Sequence, residues 1–111
     1  MAGPAWARPG SGGVREAKIR RSIRDFLRMM GGAVWDLEQN RPTRQTPGFP
    51  DLVVLGWGHV AFVEVKTPQG RLTEHQELFR RECEANGGEH HVWRSVTDAV
   101  EWHESVSEEA A

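Results

Sequence analysis

Hydrophobic residues in the first third of the chain recur at helical spacing. Between Val14 and Met30 they follow the i, i+4, i+7, i+8 pattern of an amphipathic helix, in the order Ile19, Ile23, Phe26, Leu27 and Met30. Gly31-Gly32 then ends this helix. Residues 1–13 are rich in Gly, Ala and Pro and show no periodicity, so we expect a flexible N-terminal tail ahead of a single domain over residues 14–106.

Three apolar, β-favouring runs follow the helix. Residues 33–37 predict a short strand, and the polar segment after it, residues 38–46, predicts a loop. Residues 52–55 and 60–65 are separated by residues 56–59, Gly-Trp-Gly-His, which predicts a β-hairpin with a four-residue connection.

The second half of the chain carries helix-capping signals. Thr73, with Gln76 three residues later, forms a capping-box pattern, so a helix is expected over residues 74–86, before Gly87-Gly88. Residues 91–93 predict another strand, and Ser95 is placed to cap a last helix. Residues 107–111 form an acidic, flexible tail in this interpretation. The order α-β-β-β-α-β-α predicts an α/β fold with a mixed central sheet flanked by helices.

Charge is unevenly distributed along the 111 residues, although the net charge is only −2. Through Arg44 there are nine Lys or Arg against four Asp or Glu, and afterwards five against twelve. Such a division suits a polyanion-binding surface beside a cation-binding site, but solvated helix faces of mixed sign would also produce it. No apolar run resembles a membrane span or a secretory signal, so we expect a soluble, intracellular protein.

Three charged residues occupy the ends of the hairpin strands, where an apolar sheet rarely accepts them unpaired. Strand alternation puts Glu64 and Lys66 on one face, and a Leu55–Val60 pair in the hairpin would set Asp51 opposite Glu64. Two carboxylates about 5 Å apart repel each other unless a divalent cation lies between them. An oxygen-only ligand set suits Mg²⁺ or Mn²⁺, and Lys66 beside it could orient a water or neutralise charge on a phosphate. This chemistry fits hydrolysis of a phosphate backbone.

Two segments carry these residues in a recognisable order, GFPDLVV from Gly48 and FVEVKTPQGRLTEHQ from Phe62. In that order and spacing they resemble the VRR-NUC family of the PD-(D/E)xK nuclease superfamily, in particular its small stand-alone viral and bacterial members, over roughly residues 16–102. The resemblance implies a restriction-endonuclease-like core with Asp51, Glu64 and the backbone carbonyl of Val65 on the metal. It also implies that Lys66 is catalytic and that Gln76 supports the site.

The same resemblance implies the biochemical setting. It predicts cleavage of DNA, often branched substrates such as flaps or Holliday-junction-like structures in replication and repair, by homodimers in the bacterial cytoplasm or a virus-infected bacterial cell. It implies no nucleotide or organic cofactor and no membrane partner. A catalytically silent nucleic-acid-binding or assembly module on the same fold is the alternative, although a binding module has no need for a metal-bridged carboxylate pair.

Two further site residues have competing interpretations. Glu16 is the family-like acidic residue of the first helix, and its seven-residue spacing to Ile23 places it within about 20° of the buried stripe. It would then be a possible metal ligand, but an exposed Glu near a helix N-terminus is also common. Gln76 could support the site or simply complete the Thr73 capping box.

Basic residues near these motifs are candidates for DNA contact. The set comprises Arg41, Arg44, Arg71, Lys18 and Arg21. Trp57, at the expected hairpin tip, is a candidate for base stacking or a dimer contact, and Arg94 resembles a family position that could also be structural.

Overall fold

The computed structural model describes residues 11–37 and 46–110. Arg41 and Arg44, two of the proposed DNA contacts, lie outside this part of the chain. The described residues form α1 (Ser11–Met29), β1 (Ala33–Asp36), β2 (Leu52–Gly56), β3 (His59–Val65), α2 (Glu74–Ala85), β4 (Glu89–Trp93) and α3 (Val96–Ala110). None of the helices in these two segments combines the length and apolar character needed to cross a membrane.

The four strands form one mixed sheet in the order β1-β2-β3-β4. The first three strands are antiparallel neighbours, whereas β4 pairs parallel to β3 after the α2 crossover. The α/β class, the element order and the mixed sheet are therefore confirmed. Parallel pairing of β3 and β4 follows from the helix between them, because a crossover returns the chain to the end from which it started.

Alternation along the strands separates two faces of the sheet. The inward side chains of β2 and β3 are buried with residues of α1 and α3, including Ile23, Leu27 and Trp102. On the opposite face Phe62 of β3 meets Phe79 of α2, with ring centroids 5.5 Å apart. Helices α1 and α3 therefore pack on one face of the sheet and α2 on the other.

The hairpin has the predicted register but a tighter turn. Leu55 pairs with Val60, and Gly56 also pairs with His59, so the connection is two residues rather than four. Trp57 and Gly58 have φ of 55° and 82°, the left-handed values that a two-residue turn of this twist requires. Adding one pair inside a four-residue connection shortens the loop without shifting any other pair.

Trp57 folds back against the domain instead of projecting from the hairpin tip. Its ring lies 5.8 Å from Trp102 and 4.7 Å from His103, between ring centroids. A Cβ on Gly32 would come within 2.8 Å of the same ring. The expected role of Trp57 in base stacking or a dimer contact is not supported, since contacts within the chain occupy the ring.

Both terminal helices are longer than the periodicity predicts. Helix α1 begins at Ser11, and α3 continues past Val106 to Ala110. In the last turn of α3, Glu109 accepts a hydrogen bond from His59 Nε2 at 3.1 Å. The acidic end of the chain therefore has a partner at the start of β3, which no local pattern indicates.

Candidate metal centre

Three carboxylates from three different elements meet at one end of the sheet. Glu16 comes from α1, Asp51 precedes β2, and Glu64 lies near the end of β3. One oxygen atom from each lies within 4.8 Å of the other two. Asp51 is 8% exposed and Glu64 only 2%, whereas Glu16 is half-buried.

The hairpin register brings two of these carboxylates together. Leu52 pairs with Val63, so Asp51 and Glu64 are next in line on their strands, as the sequence predicts. Asp51 Oδ2 also accepts a hydrogen bond of 2.9 Å from the backbone N–H of Val65. This bond holds the Asp51 carboxylate beside Glu64. Metal binding by the Val65 carbonyl stays a prediction.

Glu16 joins this pair because of how α1 packs. Ile23 and Leu27 are fully buried against the sheet, and Glu16 lies on the same stripe two turns before Ile23. The helix therefore presents Glu16 towards the strand ends. The buried-stripe interpretation of Glu16 agrees with its position, and the interpretation as a solvent-exposed helix residue does not.

Gln76 combines both of its expected interactions. Its Oε1 accepts from the backbone N–H of Thr73 at 2.8 Å, and its own backbone N–H donates to Thr73 Oγ1 at 3.2 Å, which completes the capping box. Its Nε2 donates to Glu64 Oε2 at 3.0 Å. The two alternatives are not exclusive, because the cap uses one end of the amide and leaves the other for Glu64.

Lys66 provides a positive charge at the edge of the cluster. Its Nζ lies 3.9 Å from Glu64 Oε2, and the residue is 8% exposed. As predicted from alternation, Lys66 and Glu64 point the same way from β3. An ammonium at this position can donate hydrogen bonds to an anion at the edge of the cluster and stabilise its charge.

Burial disfavours ionisation of all three carboxylates when no cation is bound. Burial, together with the charge of Asp51, raises the pKa of Glu64 from 4.5 to about 9. Burial likewise raises the pKa of Asp51 and of Glu16, although the Val65 N–H opposes the shift at Asp51. A bound divalent cation would reverse this balance, so the donor set fits Mg²⁺ or Mn²⁺.

Arg20 is a charged neighbour that sequence reasoning did not single out. Its Nε lies 3.2 Å from the Asp36 carboxylate at the end of β1. Its positive charge opposes the rise in the pKa of both Glu16 and Asp51 that burial causes. Two signals point to it in retrospect. Arg20 follows Glu16 by one helical turn, and Asp36 is a charged residue ending an apolar strand, as Asp51 begins one.

A cavity of about 400 Å³ opens onto the cluster. Glu16, Asp51 and Glu64 line one part, and the segment 46–49 and His75 line another. Gly48 has a φ of +89°, and a Cβ there would clash with the backbone carbonyl of His75. Only glycine lets this loop approach the first turn of α2 so closely.

The other expected DNA contacts lie away from this cavity. Lys18 and Arg21 are exposed on α1, and Arg71 is exposed in the turn before α2; none of the three lines the cavity. Arg94 has a structural contact, because its Nη1 donates to the backbone oxygens of Thr67 and Gly70 at 2.8 and 2.6 Å. Contact of Lys18, Arg21 and Arg71 with DNA stays a prediction.

A four-stranded mixed sheet flanked by three helices, with acidic side chains converging at one end, defines an α/β domain of nuclease-like fold. The family model of the VRR-NUC domain matches residues 14–97, and the chain belongs to this nuclease-type family. A solved structure titled "VRR_NUC domain" is 25% identical, with a TM-score of 0.68, and the match covers 81% of this chain and 95% of that chain. No curated protein matches the chain.

Proposed function

We propose that the protein is a divalent-metal-dependent endonuclease that hydrolyses DNA phosphodiester bonds inside the cell. The observation that carries this proposal is the convergence of Glu16, Asp51 and Glu64, with their oxygens within 4.8 Å and Lys66 alongside. Membership of a nuclease-type family supports it.

Asp51 and Glu64 would hold the metal, with the Val65 carbonyl and Glu16 as further oxygen donors. Their oxygen-only chemistry favours Mg²⁺ or Mn²⁺ over softer ions. When bound, such an ion supplies charge that polarises the phosphodiester and makes a water more acidic.

The protein's own residues would orient the reactants. Gln76 donates to Glu64 Oε2, so it fixes the rotamer of the most buried of the three cluster carboxylates and leaves its other oxygen free of that bond. The Lys66 ammonium, 3.9 Å from the same carboxylate, would donate hydrogen bonds to the attacking water or to a non-bridging phosphate oxygen. Arg20, held by Asp36, adds positive charge on the α1 side.

The proposal is tested by incubating labelled duplex, flap and four-way-junction DNA with Mg²⁺ or Mn²⁺. Asp51→Asn and Lys66→Ala should each lower the cleavage rate by about a hundredfold or more, because the first removes a proposed metal ligand and the second a positive charge that would stabilise the anionic transition state. Glu82→Gln, an exposed position on α2, is the matched control and should cut normally. Full activity in either site variant would refute the proposed roles. DNA binding by the parent without cleavage under any metal condition would favour the silent-module alternative.

A symmetric branched substrate such as a four-way junction would require two active sites, which a homodimer would supply. We place its interface on the part of the sheet that α2 leaves uncovered. There Trp35 and Val60 are 62% and 56% exposed, and Leu55 lies on the same face. An exposed apolar patch favours association, and a two-fold axis would pair this patch with its copy in the second chain.

Light scattering after size exclusion tests the dimer. The parent should have twice the mass of the chain, and Trp35→Ser with Val60→Ser should yield monomers, because Trp35 and Val60 are more exposed than Leu55 on the proposed interface. Glu101→Ser, at an exposed position on α3, serves as the control. A parent that stays monomeric at ~100 μM would contradict the interface and the two-site interpretation of the substrate.

A further inference from the structure

A second cavity, of about 520 Å³, lies between α1 and the start of α3. Three cationic residues line it, Arg15 and Lys18 from α1 and Arg94 from the end of β4. Among the described residues that line it none is acidic. Ser95 and Val96, at the N-terminal end of α3, also line it.

Arg94 is held rigidly at the rim of this cavity. Its Nη1 donates to the backbone oxygens of Thr67, Pro68 and Gly70 at 2.8, 3.3 and 2.6 Å. All three bonds use the same nitrogen, which leaves the rest of the guanidinium outside this set of contacts. Because the side chain is already ordered, it loses little rotamer freedom when it binds an anion.

The neighbouring basic cavity differs in its charge balance. Arg94 also lines that cavity, of about 480 Å³, together with Arg71 and Arg80. Glu77 lines it as well, and Arg80 forms ion pairs of 2.6 Å with Glu77 and 3.8 Å with Glu84. Its positive charge is therefore partly neutralised. The cavity beside α1 has no comparable acidic partner among its described lining residues, so it is the stronger anion site.

Two of the segments that line this cavity also carry residues of the candidate metal centre. Arg15 precedes Glu16 in α1, and Pro68 follows Lys66 by two residues, a span of at most about 7 Å of backbone. The phosphates of one DNA strand follow one another at about 3.4 Å of helix rise. A strand whose scissile phosphate lies at the carboxylates would therefore carry another phosphate past this cavity.

We infer that Arg15, Lys18 and Arg94 form a phosphate-binding subsite for the DNA backbone, a few nucleotides from the bond that is cut. The identity of the polyanion rests on the proposed function. The subsite positions the strand without reading its sequence, since contacts to phosphate carry no base information. It also assigns Lys18, one of the expected DNA contacts, to this subsite.

Binding of fluorescently labelled DNA, followed by anisotropy in Ca²⁺ over a range of salt concentrations, tests the subsite. Arg15→Ala with Lys18→Ala should raise Kd by about tenfold or more and reduce the salt slope by about 2, because two phosphate contacts are lost. Arg15→Lys with Lys18→Arg keeps both charges and should retain most of the affinity. Arg28→Ala with Arg81→Ala removes the same charge at exposed positions outside the cavity and should change Kd by less than about threefold.

Two results would overturn the subsite: an unchanged Kd in the Arg15/Lys18 double alanine variant, or an equal loss in the Arg28/Arg81 control, which would indicate diffuse attraction. Cleavage of the same DNA by the parent in Mg²⁺ or Mn²⁺ is measured in parallel. A parent that binds through these residues and does not cut would refute the proposed function while leaving the subsite intact. A parent that cuts, with binding insensitive to these residues, would do the reverse.

Discussion

Replacing Glu64 by Gln should stabilise the metal-free protein while it removes activity. Glu64 is 2% exposed, and burial together with the nearby Asp51 charge raises its pKa from 4.5 to about 9. At pH 7 the folded chain therefore holds a proton on this carboxyl that the unfolded chain releases. A glutamine at this position is neutral in both states and keeps an oxygen that accepts from Gln76.

The magnitude follows from proton linkage. Between the ordinary pKa of 4.5 and pH 7 lie 2.5 units, and each unit corresponds to about 1.4 kcal/mol. The upper limit of the stabilisation at pH 7 is thus about 3.5 kcal/mol, which corresponds to a rise in Tm of about 15 °C for a domain of this size. Local relaxation and water entry would reduce this value.

The pH dependence has a definite sign. Because the pKa of Glu64 is raised in the folded state, the contribution of this carboxyl to the free energy of unfolding is fully present below pH 4.5 and is lost as the pH rises towards 9. The advantage of the Glu64→Gln variant should accordingly be near zero at pH 4.5 and increase steadily to pH 7 and beyond. Mg²⁺ should raise the Tm of the parent and raise that of the variant much less.

Thermal and urea unfolding in EDTA, at several pH values from 4.5 to 8, measure this effect. Glu82→Gln, at an exposed position on α2, is the control and should stay within about 0.5 kcal/mol of the parent. A Glu64→Gln variant that is less stable than the parent at pH 7, or a difference that does not vary with pH, would refute the electrostatic picture of the cluster.

Three further predictions concern residues around the site and the far end of the sheet. Thr73→Ala and Gln76→Ala each remove a capping bond and should each cost about 1 kcal/mol in urea unfolding. Only Gln76→Ala should also weaken Mn²⁺ binding measured by calorimetry. Equal metal affinity in the two variants would contradict the bond from Gln76 to the Glu64 carboxylate. Gly48→Ala should destabilise the fold by about 2 kcal/mol or more, because the added Cβ meets the backbone of α2. Gly58→Ala, which has open space and a φ of +82°, should cost only about 1 kcal/mol. Similar losses in the two variants would argue against a close approach of the Gly48 loop to α2. Glu89→Gln should cost about 2 kcal/mol of unfolding free energy at pH 7, because this carboxylate accepts hydrogen bonds from two histidines and a tryptophan. The pKa of Glu89 is lowered in the folded state, so the loss should shrink as acid protonates the parent below pH 4.5. A loss that persists there would refute the assignment.

Much of the site is encoded in local sequence patterns. The hairpin register follows from two apolar runs around a glycine-containing turn, and it alone brings Asp51 next to Glu64. Alternation along β3 places Lys66 on the side of Glu64. The capping box of α2 is likewise a pattern of adjacent residues, and the structure contains it as predicted.

Other parts of the site depend on contacts between distant segments. The position of Glu16 in the cluster requires α1 to dock with a particular rotation, and the two segments that it joins are 35 residues apart in sequence from Glu16 to Asp51. The Arg20–Asp36 pair and the cavity between α1 and α3 arise from the same docking. The sequence indicates a buried stripe on α1, but not which strand ends it faces.

The sequence by itself therefore determined the elements, the hairpin register and the three charged residues at the strand ends, because hydrophobic periodicity, turn chemistry and capping act over a few neighbouring residues. Only the tertiary structure decided that Gln76 reaches Glu64 while it caps α2, that α3 extends to meet His59, and that Trp57 turns inward. Each of these depends on the packing of faces brought together across the fold, and side-chain geometry at such contacts is set by the shape of the whole core.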